Sequence, residues 1–406
     1  MTPSAFLQIN QRLKKEYILL FDFDDTLLDT NLANNEAYKY ALWKVTGKSD
    51  YIQLANARRI TRKDIAKLPD ITPQMVETIV QEKKNNYRYK IAYTAPYITH
   101  EILKRHSAYT PCYVITTADK ERVQQLDQYY QLGRFVKDYL FVDEADKYKN
   151  IARRLNVEPS QIILFEDKEE AINNAIKNGI LQENIIPVLP NTLKKQLIWK
   201  NNFLSQNIIS YYSLDYVRFG NPNNPDFINT LKNQYCSCSQ EALVDALNVL
   251  RKYLVRDICS IFNMMHVEEL VVVAIPRSKE ENEYIPEQQL FRRGIQEAVK
   301  FLREDNKLNI IDGSHFISRH TNTKTTHLSK NDNVENDGAM PYVGITKDTC
   351  TISHQVAGKD ILLIDDIYTL DVNIDEDAIQ ALYDMGAKSV RFYSVCRTVK
   401  VKKRQA

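Results

Sequence analysis

Residues 17 to 30 read Tyr-Ile-Leu-Leu-Phe-Asp-Phe-Asp-Asp-Thr-Leu-Leu-Asp-Thr, and this run decides the fold of the first half of the chain. Its apolar start changes abruptly into acids, which is typical of a buried parallel strand whose last residues reach a crevice at its carboxyl end. Asp22 and Asp24 are two positions apart, so on an extended strand their side chains share one face, and Asp25 points elsewhere.

Two carboxylates on one face repel each other, and their burial is costly unless a cation compensates their charge. A hard divalent ion such as Mg²⁺ compensates it through oxygen ligands. One carboxylate can then attack a phosphorus atom while its neighbour handles the proton of the leaving group. A helix or turn start capped by acids is the alternative interpretation of the same run.

The segment Asp22-Phe-Asp-Asp-Thr26-Leu, after an apolar strand, resembles the first signature of the haloacid dehalogenase (HAD) superfamily. Members of that superfamily are mostly Mg²⁺-dependent phosphatases. Asp25 stands where the family usually has Gly. The resemblance implies an α/β fold and a hydrolase of phosphate esters.

The composition is that of a soluble globular protein, with 44% hydrophobic and 26% charged residues. A length of 406 residues predicts two domains. Lys and Arg number 54 against 52 Asp and Glu, so the net charge of +2 gives no electrostatic reason to expect a nucleic-acid or membrane partner. Small charged metabolites remain candidates.

The cysteine pattern predicts reduced thiols and a cytoplasmic location. Of the six cysteines only Cys236 and Cys238 lie close together, and that spacing is not a zinc pair. The longest apolar runs have the length of strands, so we expect neither a signal peptide nor a spanning segment.

Residues 30–106, after the first motif, show helical spacing and resemble the helical cap that many HAD enzymes carry. Such caps exclude water and select the substrate. Within this insertion Arg58, Arg59, Arg62 and Lys63 either bind an anion or form a solvated helix face.

Three later segments resemble the remaining HAD signatures. A strand over residues 112–116 ends at Thr116, which fits the second signature, with Thr117 as the fallback. Lys147 fits the third, because its spacing to Ile151 and Leu155 predicts one buried helix face; Lys149 falls off that face. A strand over residues 162–167 ends in Glu166 and Asp167, the fourth signature.

The resemblance implies a role for each of these residues. Asp22 attacks phosphorus and forms an aspartyl phosphate, and Asp24 protonates the leaving oxygen and later activates water. Thr116 and Lys147 stabilise the phosphoryl oxygens. The implied Mg²⁺ site consists of Asp22, Asp24 through its backbone carbonyl, Glu166 and Asp167.

The pattern loosens between residues 191 and 224, where we predict the domain boundary at 205–225, giving a HAD-like domain over 1–205 and a second domain over 226–406. Residues 193–203 are consistent with one helix, and residues 208–217 with an extended segment.

The second half contains two strand-to-loop segments. An apolar strand from residue 270 enters Arg277-Ser278-Lys279, which suits an anion, and a second strand ends in Asp365-Asp366-Ile-Tyr-Thr369. The latter resembles the phosphoribosyl pyrophosphate (PRPP) signature of type I phosphoribosyltransferases. In that family the acids bind the ribose hydroxyls and the following loop holds the 5′-phosphate.

Residues 292–298 and 319–339 resemble further elements of the ComF-type branch of that family. The fold class expected for the whole chain is therefore α/β, with two Rossmann-like parallel-sheet domains and a cap on the first. The family resemblance also implies a homodimer.

The loop at residues 369–373 departs from the family, because it lacks the usual Gly and carries Asp371. Two hypotheses stay open. One is a bifunctional enzyme of nucleotide metabolism, with a phosphatase and a PRPP-dependent transferase; the other is a phosphatase controlled by a domain that senses PRPP or a nucleotide without turnover. A third possibility is phosphoryl transfer to a second sugar hydroxyl, as in HAD mutases.

Overall fold

The computed structural model describes residue 6 and residues 16–48, 59–188, 193–217, 221, 224–234, 236–305, 307–324, 344–370 and 372–399. The chain divides into two compact units, Met1–Asn191 and Thr192–Ala406. This division lies N-terminal to the interval of 205–225 expected from the sequence.

The first unit is built on a parallel sheet. Its strands are β1 (Ile18–Asp22), β2 (Leu28–Asp29), β3 (Ala95–Pro96), β4 (Cys112–Thr116), β5 (Asp138–Phe141), β6 (Ile162–Glu166) and β7 (Ile185–Pro187). The sheet has the order β5-β4-β1-β6-β7, and all its pairings are parallel. Because the chain order reverses beside β1, the carboxyl end of β1 lies at the switch point where ligands bind in such sheets.

Every residue of β1 and β6 is buried, as the apolar runs of both strands predict. Phe21 and Phe165 stack with ring centroids 4.6 Å apart. This packing at the centre of the sheet fixes the strand ends that carry Asp22 and Glu166.

Seven helices complete the described part of the first unit. They are α1 (Asn31–Thr46), α2 (Arg62–Ile65), α3 (Pro73–Tyr87), α4 (Ile98–His106), α5 (Lys120–Tyr130), α6 (Ile151–Leu155) and α7 (Glu169–Lys177). Short 3₁₀ turns lie at Arg88–Tyr93, Leu132–Arg134, Glu144–Asp146, Pro159–Gln161 and Gln182–Asn184.

Helices α1 to α3 form the cap. Its own small core brings together Tyr38, Leu42, Ile65, Val76 and Ile79. The antiparallel pair of β2 and β3 closes the insertion at its base. Helix α4 follows that pair and leads into β4, so it is the crossover helix of the sheet, although the sequence pattern assigned it to the cap.

The second unit contains a six-stranded sheet and a two-stranded one. Its strands are β8 (Lys194–Ile198), β9 (Ile208–Tyr216), β10 (Leu270–Ala274), β11 (Ile310–Asp312), β12 (Ile317–Arg319), β13 (Cys350–Ile352), β14 (Asp360–Tyr368) and β15 (Ser389–Thr398). The large sheet has the order β11-β10-β14-β15-β9-β8, parallel throughout except for the edge pair of β8 and β9. The α/β class is therefore as predicted, with one antiparallel edge strand added.

The described helices of the second unit are α8 (Asp226–Lys232), α9 (Gln240–Met265), α10 (Leu290–Asp305) and α11 (Ile374–Asp384), and 3₁₀ turns lie at Glu281–Glu283, Pro286–Gln288 and His354–Val356. Helices α9 and α10 pack closely at Gly294, where a Cβ atom would lie 2.7 Å from Leu250. All six cysteines are free thiols. No helix among the described residues is both long and apolar enough to cross a bilayer.

The helix expected over residues 193–203 is wrong, because this segment contains β8. Lys194 pairs across the hairpin with Asp215 at 3.0 Å, and Ile198 is buried against the sheet. A partner strand outside the segment thus decides its conformation, which local spacing does not register.

Candidate active site

A buried ammonium holds two acids together at the carboxyl end of the first sheet. Lys147 Nζ donates to Asp22 Oδ1 at 2.6 Å and to Glu166 Oε2 at 2.7 Å. Asp22 and Glu166 are the last residues of the adjacent strands β1 and β6. The parallel register therefore brings together two acids that lie far apart in the sequence.

Asp167 completes a set of three acids at this edge. Single oxygens of Asp22, Glu166 and Asp167 all lie within 4.8 Å of one another. Three carboxylates at such spacing are a suitable donor set for a hard divalent cation, because they supply charge and oxygen ligands together. Asp24, the fourth expected ligand, has its carboxylate outside this group of three.

Neighbouring groups fix the orientation of the acids on β6. Tyr148 Oη donates to Glu166, and the backbone N–H groups of Asp167 and Lys168 donate to its other oxygen at 3.1 and 3.2 Å. Thr26 Oγ1 donates to Asp167 Oδ1 at 3.1 Å. The Glu166 carboxylate is thus held on both oxygens.

Burial and the short distances between these charged groups shift their pKa values. Burial raises the pKa of Asp22 to about 6, against the opposing charge of Lys147. Burial, and then the charge of Asp22, raises the pKa of Asp167 to about 8. The pKa of Lys147 lies above its usual range, because the charges of Asp22 and Glu166 outweigh its burial. The site therefore carries more negative charge than its own cation balances.

Asp24 lies in a different electrostatic setting. Arg122 donates to both its oxygens, with one contact of 2.8 Å, and Thr30 Oγ1 donates to it at 2.5 Å. Arg59 lies 3.5 Å from the same carboxylate. Burial would raise the pKa of Asp24, but the charges of Arg122 and Arg59 outweigh burial and hold that pKa well below its usual range.

The structure distinguishes the two threonines and the two lysines that the sequence offered for the second and third signatures. Thr116 is buried at the end of β4, where its Oγ1 accepts from the Ala118 N–H at 3.0 Å, whereas Thr117 is exposed. Lys149 is exposed and pairs with Asp146 at 3.2 Å, so only Lys147 reaches the acids.

The helical reasoning used to choose Lys147 is wrong, however. Helix α6 begins at Ile151, after Asn150 in a left-handed conformation with φ of 56°. Lys147 precedes that break and follows the 3₁₀ turn Glu144–Asp146, so it shares no helix with Ile151. The turn between the 3₁₀ segment and helix α6, rather than a helix face, directs the Lys147 side chain inward.

Asp25 also has a left-handed backbone, with φ of 62°. Glycine adopts this conformation most easily, and Asp is one of the few other residues that tolerate it. The departure from the family pattern at this position is therefore compatible with the same backbone.

Of the four basic cap residues considered in the sequence, Arg59 reaches Asp24. Arg62 pairs with Glu77 and both are exposed, and Lys63 is exposed. Arg58 lies outside the described residues. Two buried asparagines hold the chain beside Arg59, because Asn34 Nδ2 donates to Ile60 O and Ile60 N donates to Asn35 Oδ1, both at 2.9 Å.

A cavity of about 390 Å³ lies in the second unit at the carboxyl ends of β10 and β14. It is lined by all six residues expected there to bind a ligand: Arg277, Ser278, Lys279, Asp365, Asp366 and Thr369. Arg319, Lys324 and Lys232 line it as well, and Lys232 Nζ lies 3.4 Å from Asp366 Oδ2.

Several of these residues have structural partners. Arg277 donates to the carbonyls of Gln288 at 2.5 Å and Lys232 at 3.2 Å, and its guanidinium stacks over Tyr284. The Lys279 N–H donates to Tyr284 Oη at 2.9 Å. Arg277 therefore braces the loop, in addition to giving the cavity positive charge.

Asp365 and Asp366 face a third acid, Asp375, from the first turn of α11. Burial, and then the charge of Asp366, raises the pKa of Asp365 to about 7. Burial, and then the charge of Asp365, raises the pKa of Asp375 well above its usual range. Asp371, residues 325–343 and the basic tail from residue 400 lie outside the described residues.

Sequence reasoning missed several residues at both sites. In the first unit these are Thr30, Arg122 and Tyr148; in the second they are Lys232, Tyr284 and Asp375. Arg122 had a usable signal, because it lies in the first turn of the helix that follows β4 and so starts at the same sheet edge. The contacts of Tyr284 and Lys232 join distant loops and have no local signal.

A family model for haloacid dehalogenase-like hydrolases matches residues 19–182. No curated protein is significantly similar to the chain. Similar solved structures include a HAD hydrolase of family IA, variant 3, from Entamoeba histolytica, at 23% identity and a TM-score of 0.32, covering 42% of this chain and 82% of that one.

Two further solved structures are similar at the same level. One is a predicted phosphoglycolate phosphatase from Haemophilus somnus, at 16% identity and a TM-score of 0.35, covering 41% of this chain and 84% of that one. The other is a haloacid dehalogenase-like family protein from Streptococcus pneumoniae, at 17% identity and a TM-score of 0.32, covering 41% and 83%.

The family match ends before β7, so it covers four of the five strands of the parallel sheet, and it includes Asp22, Thr116, Lys147 and Glu166. The N-terminal region is therefore a haloacid dehalogenase-like hydrolase domain, as its sequence predicted. The match ends at residue 182 and bears on nothing in the second unit.

Proposed function

We propose that the N-terminal unit is a phosphatase that hydrolyses phosphate monoesters through an aspartyl phosphate on Asp22. The observation that carries the proposal is the contact of Asp22 with Lys147 and Glu166 at the switch point of the sheet. A nucleophile between a fixed cation and a metal-binding acid set is suited to attack on a charged phosphoryl group.

In the first step an Asp22 oxygen forms a bond to phosphorus and the ester oxygen leaves with a proton from Asp24. In the second step water attacks the phosphorus and gives a proton to Asp24. The Asp22–phosphorus bond then breaks, which releases phosphate and restores the carboxylate. The acid role requires the ion pair between Asp24 and Arg122 to loosen when the ester binds.

Mg²⁺ is the proposed cofactor, held by Asp22, Glu166 and Asp167. When bound it would offset the negative charge that these acids and the phosphoryl group bring together. Lys147 would neutralise phosphoryl oxygens, and the Thr116 hydroxyl would contribute a hydrogen bond.

Release of inorganic phosphate tests this proposal. Wild type, Asp22→Asn and the double variant Asp365→Ala/Asp366→Ala are compared with Mg²⁺ on nucleoside monophosphates, sugar phosphates and PRPP. We expect release that disappears in Asp22→Asn and persists in the double variant. Release that survives Asp22→Asn would contradict the mechanism. Consumption of the phosphate ester without release of inorganic phosphate would indicate a mutase.

A second candidate function concerns the cavity of about 390 Å³ in the second unit. We infer that this region binds PRPP or a nucleotide, because one cavity gathers Asp365 and Asp366 with Lys232, Arg277, Lys279 and Arg319. Acids suit ribose hydroxyls, and cations suit phosphate groups. Calorimetry with PRPP tests binding, and release of pyrophosphate with a panel of bases separates a transferase from a sensor. If PRPP does not bind and no pyrophosphate is released with any base, this candidate function is ruled out.

A further inference from the structure

A cavity of about 180 Å³ lies beside Asp24, between the cap and helix α5. Arg59 and Lys83 from the cap line it, together with Arg122 from α5 and the ring of Tyr87. Both guanidinium groups also contact the Asp24 carboxylate. The cavity is therefore next to the group that would protonate the leaving oxygen of an ester.

The charges around this cavity are not balanced by the protein. Arg59, Lys83 and Arg122 gather around the single carboxylate of Asp24, and guanidinium groups stay charged at any accessible pH. The cavity also contains Asp119, which pairs with Lys84 at 3.3 Å, and Glu121, whose carboxylate accepts from Gln125. Gln125 is neutral, so Glu121 keeps its charge. Four cations of the cavity, Arg59, Lys83, Lys84 and Arg122, therefore face three carboxylates, Asp24, Asp119 and Glu121, which leaves one positive charge in excess when Lys83 is protonated.

The surroundings of Lys83 disfavour its charged form. Among the described residues it forms no salt bridge, and its ammonium instead lies 5.2 and 5.3 Å from the ring centroids of Tyr38 and Tyr87. Burial, followed by the charges of Arg122 and Arg59, lowers its pKa to about 7. An anion in the cavity would relieve both the repulsion and the cost of burial.

We propose that this cavity binds a second anionic group on the leaving-group side of a compact phosphate monoester, with Arg59, Lys83 and Arg122 as its ligands. The proposal rests on the phosphatase function proposed above and names its substrate class. Because Arg122 and the ester oxygen would both lie within hydrogen-bond reach of Asp24, the anion lies close to that oxygen and the ester is compact. A cavity of about 180 Å³ suits a small acid better than a nucleoside, since pockets for larger ligands are typically ~300–1,000 Å³.

A matched ester series tests the proposal. Three-carbon phosphate monoesters that end in a carboxylate, in a second phosphate or in the neutral carboxamide are compared by kcat/KM for phosphate release. We expect wild type to favour an anionic ester over the carboxamide by about 10- to 100-fold, the range for hydrogen bonds to charged groups. The better of the two anionic esters identifies the anion as carboxylate or phosphate.

Variants assign the preference to the cavity. Lys83→Met removes the ammonium that lies over the Tyr38 and Tyr87 rings and should lower kcat/KM for the anionic ester by much more than for the carboxamide, so that most of the preference is lost. Arg59→Met covers the case that Lys83→Met folds poorly, and it is read by calorimetry in the Asp22→Asn background because Arg59 also lies 3.5 Å from Asp24; it should remove the difference in affinity between the anionic ester and the carboxamide. The matched control is Lys63→Met, which removes the same charge from an exposed part of the cap and should leave the preference intact.

Binding provides a readout separate from turnover. Calorimetry on Asp22→Asn should show the anionic ester binding more tightly than the carboxamide, and Lys83→Met in that background should remove the difference. Equal turnover and equal binding of the anionic and neutral esters would overturn the proposal while leaving the phosphatase intact. No phosphate release from any ester, or release by Asp22→Asn, would overturn the phosphatase and this proposal together.

Discussion

Replacing Lys147 by Met should destabilise the first unit far more than the same change at Lys149. The Lys147 ammonium contacts Asp22 and Glu166 at 2.6 and 2.7 Å, and its side chain is 8% exposed. Removing one partner from a buried ion pair costs about 3–5 kcal/mol, because the charges left behind lack compensation. Burial raises the pKa of Asp22 and Lys147 lowers it, so without Lys147 the buried Asp22 takes up a proton at a higher pH than in wild type, and the cost of the substitution rises with pH.

The assay is urea unfolding at pH 7.5, followed by pulsed hydrogen exchange on peptides that contain β1 and β6, so that the first unit is observed by itself. A loss of about 3 kcal/mol lowers the midpoint by roughly 1–2 M urea. Mg²⁺ should raise the midpoint of Lys147→Met more than that of wild type, because it replaces the missing positive charge.

Lys149→Met is the matched control, since Lys149 is 61% exposed and pairs with the exposed Asp146. Surface changes of this kind stay within about 0.5 kcal/mol. Equal midpoints for the two variants would refute the view that Lys147 holds the acids together.

Three further predictions concern other parts of the chain. Lys83, with a pKa of about 7, should react with an amine-specific reagent at pH 7.5 faster than the exposed Lys63, as measured by peptide mapping. An anionic ester should protect Lys83, and reaction at the rate of Lys63 would contradict the lowered pKa. Folding raises the pKa of Asp365, so the unfolded state loses this proton first and the stability of the second unit falls as pH rises from about 4 to about 7. Asp365→Asn should flatten that fall and stabilise the second unit at pH 8 by about 1–3 kcal/mol, measured by urea unfolding. A pH profile of stability equal to that of wild type would contradict this prediction. Gly294→Ala should destabilise the second unit by roughly 1–3 kcal/mol, because its Cβ would lie 2.7 Å from Leu250, and a thermal midpoint equal to that of wild type would show that the helices can separate at no cost.

The sequence was most informative where strands end. Strands β1 and β6 end in acids, and in β14 the buried run of residues 361–364 is followed by Asp365 and Asp366, two residues before the strand ends. Parallel pairing places these positions toward one edge of each sheet. This reasoning needs only the position of each strand, so it predicted the acids at both sites without knowledge of the loops.

The partners of those acids were harder to predict. Arg122 and Asp24 are separated by 98 positions, and their contact depends on how α5 starts after β4. Lys147 was chosen through a helix that does not extend to it. The structure nevertheless places Lys147 between Asp22 and Glu166, because a buried pair of acids is stabilised by a cation whichever backbone segment delivers it. Its role in catalysis stays a prediction.

The cap residues illustrate a different limit. Arg59 and Lys63 are similar by local pattern, yet only Arg59 is turned toward Asp24, by backbone contacts with two buried asparagines. The buried position of Asp375 likewise depends on α11 packing against Asp365. Contacts of this kind are decided by tertiary packing and leave no periodic signal in the sequence.

The central claim is that Asp22 carries the phosphoryl group during turnover. An anionic phosphate ester with a radiolabelled phosphoryl group is mixed with enzyme and Mg²⁺, the reaction is quenched in acid, and the labelled peptide is mapped. We predict label on the peptide that contains Asp22, none in Asp22→Asn, and wild-type labelling in Asp25→Asn, because Asn also tolerates the left-handed backbone at that position. Phosphate release without label on Asp22, or label that persists in Asp22→Asn, would contradict the account.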